Sequence, residues 1–183
     1  HVISNHPYQI SSPVLERIRV HHAKDPLKLV ILLVQDEFAA RMAMSTAPYD
    51  MGPLGLNLWL DFEVVLDRRI APDSFSPSPR VHSRLVTLRP VVRPETEELD
   101  KALFRITTKH CFAYRRRKLR TLLSESPLRL SRVSGWHKGR WGAAIAAIQD
   151  SEIEGLPSGW LDMRPENLEA LDWVPLIRRL SSM

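Results

Sequence analysis

The sequence predicts an α/β fold: the second half of a doubly wound sheet with an antiparallel pair of strands at its edge, followed by a small all-α domain. Three observations carry this. "LKLVILLVQ" (27–35) is a continuous Leu/Val/Ile run too short for a free-standing helix, the pattern of a central parallel strand covered on both faces. Strand and helix signals alternate on either side of it, and two strand-like runs then follow close together. Beyond residue 91 the apolar spacing becomes helical. The expected boundary separates 1–91 from 92–183.

In chain order, "HVIS" reads as the end of a buried strand. "SSPVLERI" opens a helix, with Ser12 as cap and Pro13 in the first turn, where its missing N–H costs nothing. The strand at 27–35 leads into the helix "DEFAARMAM" (36–44), and "APYDMGPLG" (47–55) is a Pro/Gly loop. "LNLWLDFEVVLD" (56–67) and "RVHSRLVTLRP" (80–90) read as strands joined by "APDSFSPSP" (71–79). Pro94 and an acidic cluster at 92–100 open a helix whose Leu99, Ala102, Leu103 and Ile106 share a face. "FAYRRRKLRTLL" (112–123) is a basic helix, and "GRWGAAIAAIQD" (139–150) is a small-residue helix. "RPENLEALDWVPLIRRL" (164–180) supplies one or two more, with Pro165 in a first turn and Asp172 as a cap.

Composition narrows the function classes. The chain has 183 residues, 44% of them hydrophobic, enough for one domain or two small ones sharing an interface. Its longest apolar run, Leu29 to Val34, is far below the ~20 residues of a membrane span, and the opening residues lack a basic-then-apolar leader. One cysteine, Cys111, excludes an internal disulfide and a Cys-rich zinc cage, so a cytoplasmic protein without a membrane partner is expected. The net charge of +5 is concentrated: residues 111–140 hold nine Lys/Arg against one acidic residue, Glu125. Such a surface attracts a polyanion by counterion release, nucleic acid above all, although a solvated basic helix face has the same composition.

Three groups of residues could carry chemistry. Asn5-His6-Pro7-Tyr8 stands at the C-terminal end of a predicted strand, where open α/β sheets bind ligands. An Asn oxygen and a backbone carbonyl before or at the proline can accept hydrogen bonds from an exocyclic amine and draw its lone pair out of conjugation, while the tyrosine stacks on the ring. The same four residues equally suit a turn. Phe75, on a loop stiffened by Pro77 and Pro79, could supply a second stacking face or tuck into the core. The basic run Arg115, Arg116, Arg117, Lys118 and Arg120 could hold phosphates, or only water.

"NHPYQISSP", "VQDEFAARM", "SFSPSPRVHS", "FAYRRRKLRTLL" and "LDMRPENLEAL" occur in the order and at the spacing of rRNA adenine dimethyltransferases, and the chain resembles that family over nearly its whole length. The resemblance implies a Rossmann-like S-adenosylmethionine methyltransferase domain, then a helical domain that helps hold small-subunit rRNA in the immature small ribosomal subunit. It implies that Asn5 and the Pro7 carbonyl engage the adenine amine at the edge of the cofactor site, and that Tyr8 and Phe75 stack on the base. It also implies that the 115–120 cations contact RNA and that Gln35, Glu37 and Arg41 support the site.

The chain departs from the family at His6, where an aliphatic is usual, over "DMGPLGLN" (50–57), and at Thr121 in place of Asn. The Gly-rich loop and the ribose-binding acid of the family are not found. A fragment is therefore expected, starting just before the fourth sheet strand, with an uncovered strand edge near His1 open to self-association and no tight binding of S-adenosylmethionine by itself. Two other classes share these residues: a non-catalytic RNA-binding or ribosome-assembly relative, and an amine methyltransferase acting on DNA or on protein glutamine.

Overall fold

The computed structural model describes residues 1–149 and 151–183. Strand β1 (Val2–Asn5) leads through a 3-10 turn into helix α1 (Ser11–His22), followed by β2 (Val30–Gln35), α2 (Asp36–Ala43) and α3 (Pro53–Trp59). Strands β3 (Phe62–Ile70) and β4 (Ser83–Pro90) complete the sheet. Helices α4 (Lys101–Ala113), α5 (Leu119–Leu123), α6 (Lys138–Ile148) and α7 (Trp173–Ser181) form the helical part. The sheet order is β1-β2-β4-β3; β1 and β2 are parallel, and β4 runs antiparallel to both β2 and β3. The chain therefore has the predicted mixed α/β architecture.

One face of the sheet carries its core. Val30, Leu32 and Val34 are fully buried with Leu15 and Ile18 of α1 and Phe38, Ala39 and Met42 of α2, while the alternate residues Ile31, Leu33 and Gln35 are only half-buried. The expectation of cover on both faces is thus corrected. The apolar run is continuous, but the helices after β1 and β2 both pack on the Val30 side. Strand β1 is an edge of the sheet, with Ile3 79% exposed.

Several elements differ from the sequence reading for identifiable reasons. Residues expected in the strand at 56–67 begin in helix α3, and β3 starts only at Phe62. Extended Gly52 followed by Pro53 in the first turn starts the helix, and the leucines serve two cores at i, i+4 spacing. Leu54 and Leu58 face the sheet cluster, whereas Leu56 and Leu60 join the helical cluster with Leu103, Phe104 and Leu122. Ser12 is not a cap, because α1 already starts at Ser11. Asp100 is the N-cap of α4, its carboxylate accepting from Leu103 N–H at 2.9 Å, and Ala102 lies on the exposed side of that helix. Asp172 stands at the N-cap position of α7, but its carboxylate accepts from Glu169 N–H at 2.7 Å instead of making a capping bond into the helix. The predicted helix 139–150 ends at Ile148 in α6, with Asp150 outside the described residues.

Asp61, between α3 and β3, ties the sheet to α4 by accepting from Lys101 Nζ at 2.7 Å and Arg105 Nη2 at 2.8 Å. Among the described residues no helix is long and apolar enough to cross a membrane, and no group of His, Cys, Asp or Glu is arranged to hold a metal.

The α2–α3 contact is close enough to require a glycine. A Cβ at Gly55 would lie 2.8 Å from the Arg41 carbonyl oxygen and 2.2 Å from Met44 Cγ. The methionine can swing away; the backbone oxygen cannot. Gly55→Ala is expected to lower stability by about 1–3 kcal/mol, because α2 and α3 must part. Denaturant unfolding checks this, and a loss below about 0.5 kcal/mol would show the contact to be slack.

Candidate functional site

Strand β1 ends at Asn5, and Pro7, with φ −56° and ψ 135°, directs the chain into the 3-10 turn Tyr8–Ile10. The turn closes through Ile10 N–H donating to the Pro7 carbonyl at 3.1 Å. Pro7 therefore offers only its second lone pair outward, while the His6 carbonyl takes no turn or side-chain hydrogen bond among the described residues. His6, the position that departs from the family pattern, braces the corner from inside. Its ring is 8% exposed, with Nδ1 3.1 Å from Ser4 Oγ and Nε2 3.0 Å from Ser11 Oγ, so one ring N–H donates to a hydroxyl and the other hydroxyl donates to the bare nitrogen.

Burial pushes the His6 pKa below its ordinary 6.5. The unfolded chain then takes up the proton at a higher pH than the folded one. Its contribution to stability is complete above about 6.5 and declines as the pH falls below that value. The melting temperature is expected to drop between about pH 7 and about pH 5, and His6→Leu is expected to flatten part of that drop. An identical pH profile in His6→Leu would show that the ring titrates freely.

The Tyr8 hydroxyl meets Ser83 Oγ at 2.5 Å. Ser83 is fully buried at the start of β4, paired across the ladder with Gln35 on one side and Ile70 on the other. That bond fixes the tilt of a half-buried ring that would otherwise turn about χ1. Phe75 arrives from the β3–β4 loop, where Phe75 N–H donates to the Pro72 carbonyl at 3.2 Å and the Ser78 hydroxyl donates to the same oxygen at 2.8 Å. Asn5, Pro7 and Tyr8 line one surface cleft of about 350 Å³ together with Phe75, Pro77 and Pro79. The structure thus brings together the four residues singled out from the first and second motifs.

Asp36, at the start of α2, anchors the other end of that loop. It accepts from Arg84 Nε at 2.6 Å and Arg69 Nε at 2.7 Å, and its N–H donates to the His82 carbonyl at 3.0 Å. Burial raises the Asp36 pKa, but the bonds from Arg84 and Arg69 outweigh it and leave the carboxyl below the usual carboxylate range. Of the supporting trio, Gln35 pairs with Ser83, Glu37 is exposed, and the Arg41 guanidinium lies 5.4 Å from the Phe38 ring centre. Ser83 and Asp36 escaped the sequence reading. A tyrosine whose ring lies against the protein needs a partner for its hydroxyl, and nothing in the sequence near Tyr8 points to Ser83 as that partner.

Comparison with known proteins settles the family. Residues 1–130 match the family described as ribosomal RNA adenine dimethylase. The chain belongs to that family. The relatives it is similar to include the "Ribosomal RNA small subunit methyltransferase A" of Geobacter metallireducens, 31% identical over 79% of this chain and 55% of that protein. The protein of the same name from Anaeromyxobacter dehalogenans is 32% identical over 98% of this chain and 56% of that protein. The chain spans about half the length of these curated relatives.

In fold it resembles the dimethyladenosine transferase of Plasmodium falciparum, with a TM-score of 0.73 at 21% identity over 99% of this chain and 66% of that one. The 23S rRNA methyltransferase ErmE aligns less closely, with a TM-score of 0.55 at 20% identity over 98% of this chain and 64% of that one.

The basic segment of this chain is not the continuous helix expected at 112–123. Helix α4 stops at Ala113, residues 114–118 turn, and α5 begins at Leu119. Ion pairs to the C-terminal segment hold the turn. Arg115 donates to Glu166 at 2.5 Å and to the Pro48 carbonyl at 3.3 Å; Lys118 and Arg120 donate to Asp162 at 3.0 and 2.6 Å. Among the described residues Arg116 makes no ion pair, and Arg117 makes none but lies over the Tyr114 ring. A straight helix would have carried Arg115 away from Glu166. The cations divide between internal pairs and open surface.

Proposed function

We propose that the chain carries the adenine-binding part of an enzyme that uses S-adenosylmethionine to dimethylate two adjacent adenines of small-subunit rRNA, acting in the cytoplasm on immature small ribosomal subunits. The observation that carries this reading is the single cleft in which the Asn5 carboxamide stands beside two aromatic side chains, one of them tethered to the buried Ser83. Tyr8 and Phe75 would clasp the purine. Asn5 Oδ1 and a main-chain oxygen, that of Pro7 or the unengaged one of His6, would accept from the exocyclic amine and turn its lone pair outward.

The cleft's lining fits a methyl donor of this kind, since it holds no charged side chain and the Asn5 carboxamide oxygen and the Pro7 carbonyl are neutral acceptors compatible with a cationic sulfonium. S-adenosylmethionine, when bound, supplies a methyl group on that sulfonium for direct displacement by the amine nitrogen. Asn5 and the main-chain oxygen hold the nitrogen in line, and Tyr8 and Phe75 exclude water from the ring faces. His6 is not a base in this scheme, because hydroxyls occupy both its ring nitrogens. The amine proton passes to solvent after the N–C bond has formed.

The deciding experiment follows labelled methyl groups from S-adenosylmethionine, using a polypeptide of the relatives' full length that contains these 183 residues. Label entering adenine of immature small subunits supports the reading. Label entering protein-free DNA or protein glutamine instead would move the chain to another amine methyltransferase class. RNA binding without transfer to any acceptor would make it an assembly relative.

A further inference from the structure

A second cleft, of about 380 Å³, lies between the end of α4 and the segment 125–129. Ile106, Tyr114 and Leu128 line it, and Tyr114 is 57% and Leu128 fully exposed, so one aromatic and one aliphatic side chain stand open to water. The charged groups facing it are Lys109, Arg129 and Glu125, and Arg117 lies 5.1 Å from the centre of the Tyr114 ring. His110 also lines it; its Nε2–H donates to the Leu122 carbonyl at 2.8 Å, which leaves Nδ1 as an acceptor.

One face of the Tyr114 ring meets Arg117 while Leu128 stands in water, and the rim, with Lys109, Arg129 and Arg117 against Glu125, is cationic on balance and selects what would cover them. Single-stranded RNA offers both halves of the complement: a flat apolar face for the ring and phosphates for the cations. The volume, near the small end of ligand pockets, suits one nucleotide rather than a helix of a partner protein.

We propose that this cleft captures one unpaired nucleotide of the RNA substrate, its base between Tyr114 and Leu128 and its flanking phosphates on Lys109, Arg129 and Arg117. The proposal rests on the reading that the chain acts on RNA, and it adds a second base-holding site on elements that contribute nothing to the adenine cleft. Its role is to recognise an unpaired position in the folded RNA. Phosphate contacts alone could not do this, since they carry no information about the base.

The test measures binding of a short single-stranded RNA and of a blunt RNA duplex by fluorescence anisotropy over a range of salt. Tyr114→Ala is expected to weaken single-strand binding about 5- to 100-fold with the salt slope unchanged, and to leave duplex binding within about twofold. Lys109→Gln is expected to reduce the single-strand salt slope by about 0.7. Leu128→Ser, at a fully exposed position, should act in the same direction as Tyr114→Ala without shifting the melting temperature. Unchanged single-strand affinity in both Tyr114→Ala and Leu128→Ser would overturn the proposal, as would equal losses for duplex and single strand. Displacement of an acidic peptide, with RNA binding intact, would assign the cleft to a protein partner and overturn it too. Methyl transfer in Asn5→Ala reports on the adenine cleft alone, so failure of either site is seen separately.

Discussion

Asn5→Ala, in a polypeptide of the relatives' full length, is expected to lower methyl transfer to immature small subunits by about 10²- to 10³-fold, the usual cost of deleting one preorganised polar group at a reacting centre. RNA affinity should stay within about twofold, because a single carboxamide contributes little to a polyanion interface dominated by phosphate contacts. The physical reason is local. Asn5 terminates β1 at the mouth of the cleft, and no carboxylate or free imidazole lines the cleft to take over as base. On the proposed reading, activation of the amine falls to two oxygens, of which Asn5 would provide one. Asn5→Asp keeps the acceptor and adds a charge, so it should recover part of the rate. A rate unchanged in Asn5→Ala would remove the cleft from the chemistry; parallel loss of rate and RNA affinity would point to a fold defect.

Leu56→Ala is expected to cost about 2–5 kcal/mol, the range for emptying a closed core site. Leu56 is fully buried against the helical cluster, one step along α3 from Gly55, whose bare Cα lets α2 approach. Leu58, two residues on, is 4% exposed and belongs to the sheet cluster. A helix of seven residues that, with its C-cap Leu60, places two leucines on each core cannot shift toward either without opening the other. Denaturant unfolding followed by tryptophan fluorescence measures the loss, since Trp141 and Trp173 lie in the helical cluster. A cost below about 1 kcal/mol would mean that the two cores are not joined through α3.

Much of this architecture was legible in the residues. "LKLVILLVQ" announced β2, because a short Leu/Val/Ile run rich in β-branched residues suits a strand paired on both edges. The cleft was legible as chemistry: Asn5, Tyr8 and Phe75 are residue types that handle a flat amine-bearing ring, and the structure places them on one concavity. What could not be read was register. The leucines of 54–60 fit either alternation or helical spacing until Gly52-Pro53 is recognised as a helix start. The basic run looked like one helix because its charges hid the break; the partners that bend it, Glu166 and Asp162, lie more than forty residues away, and no local rule could summon them. Ser83 was missed for the same reason. Its hydroxyl matters only because Tyr8, 75 residues earlier, folds over it.

Cys111 sits sealed in the helical cluster, and burial drives its thiol pKa well above the ordinary value. A thiol that cannot ionise while the helices are closed is a clock for their opening: alkylating reagents would modify it only as fast as that layer breathes. With a single sulfhydryl in the sequence, one mass shift would time the event without any engineered probe.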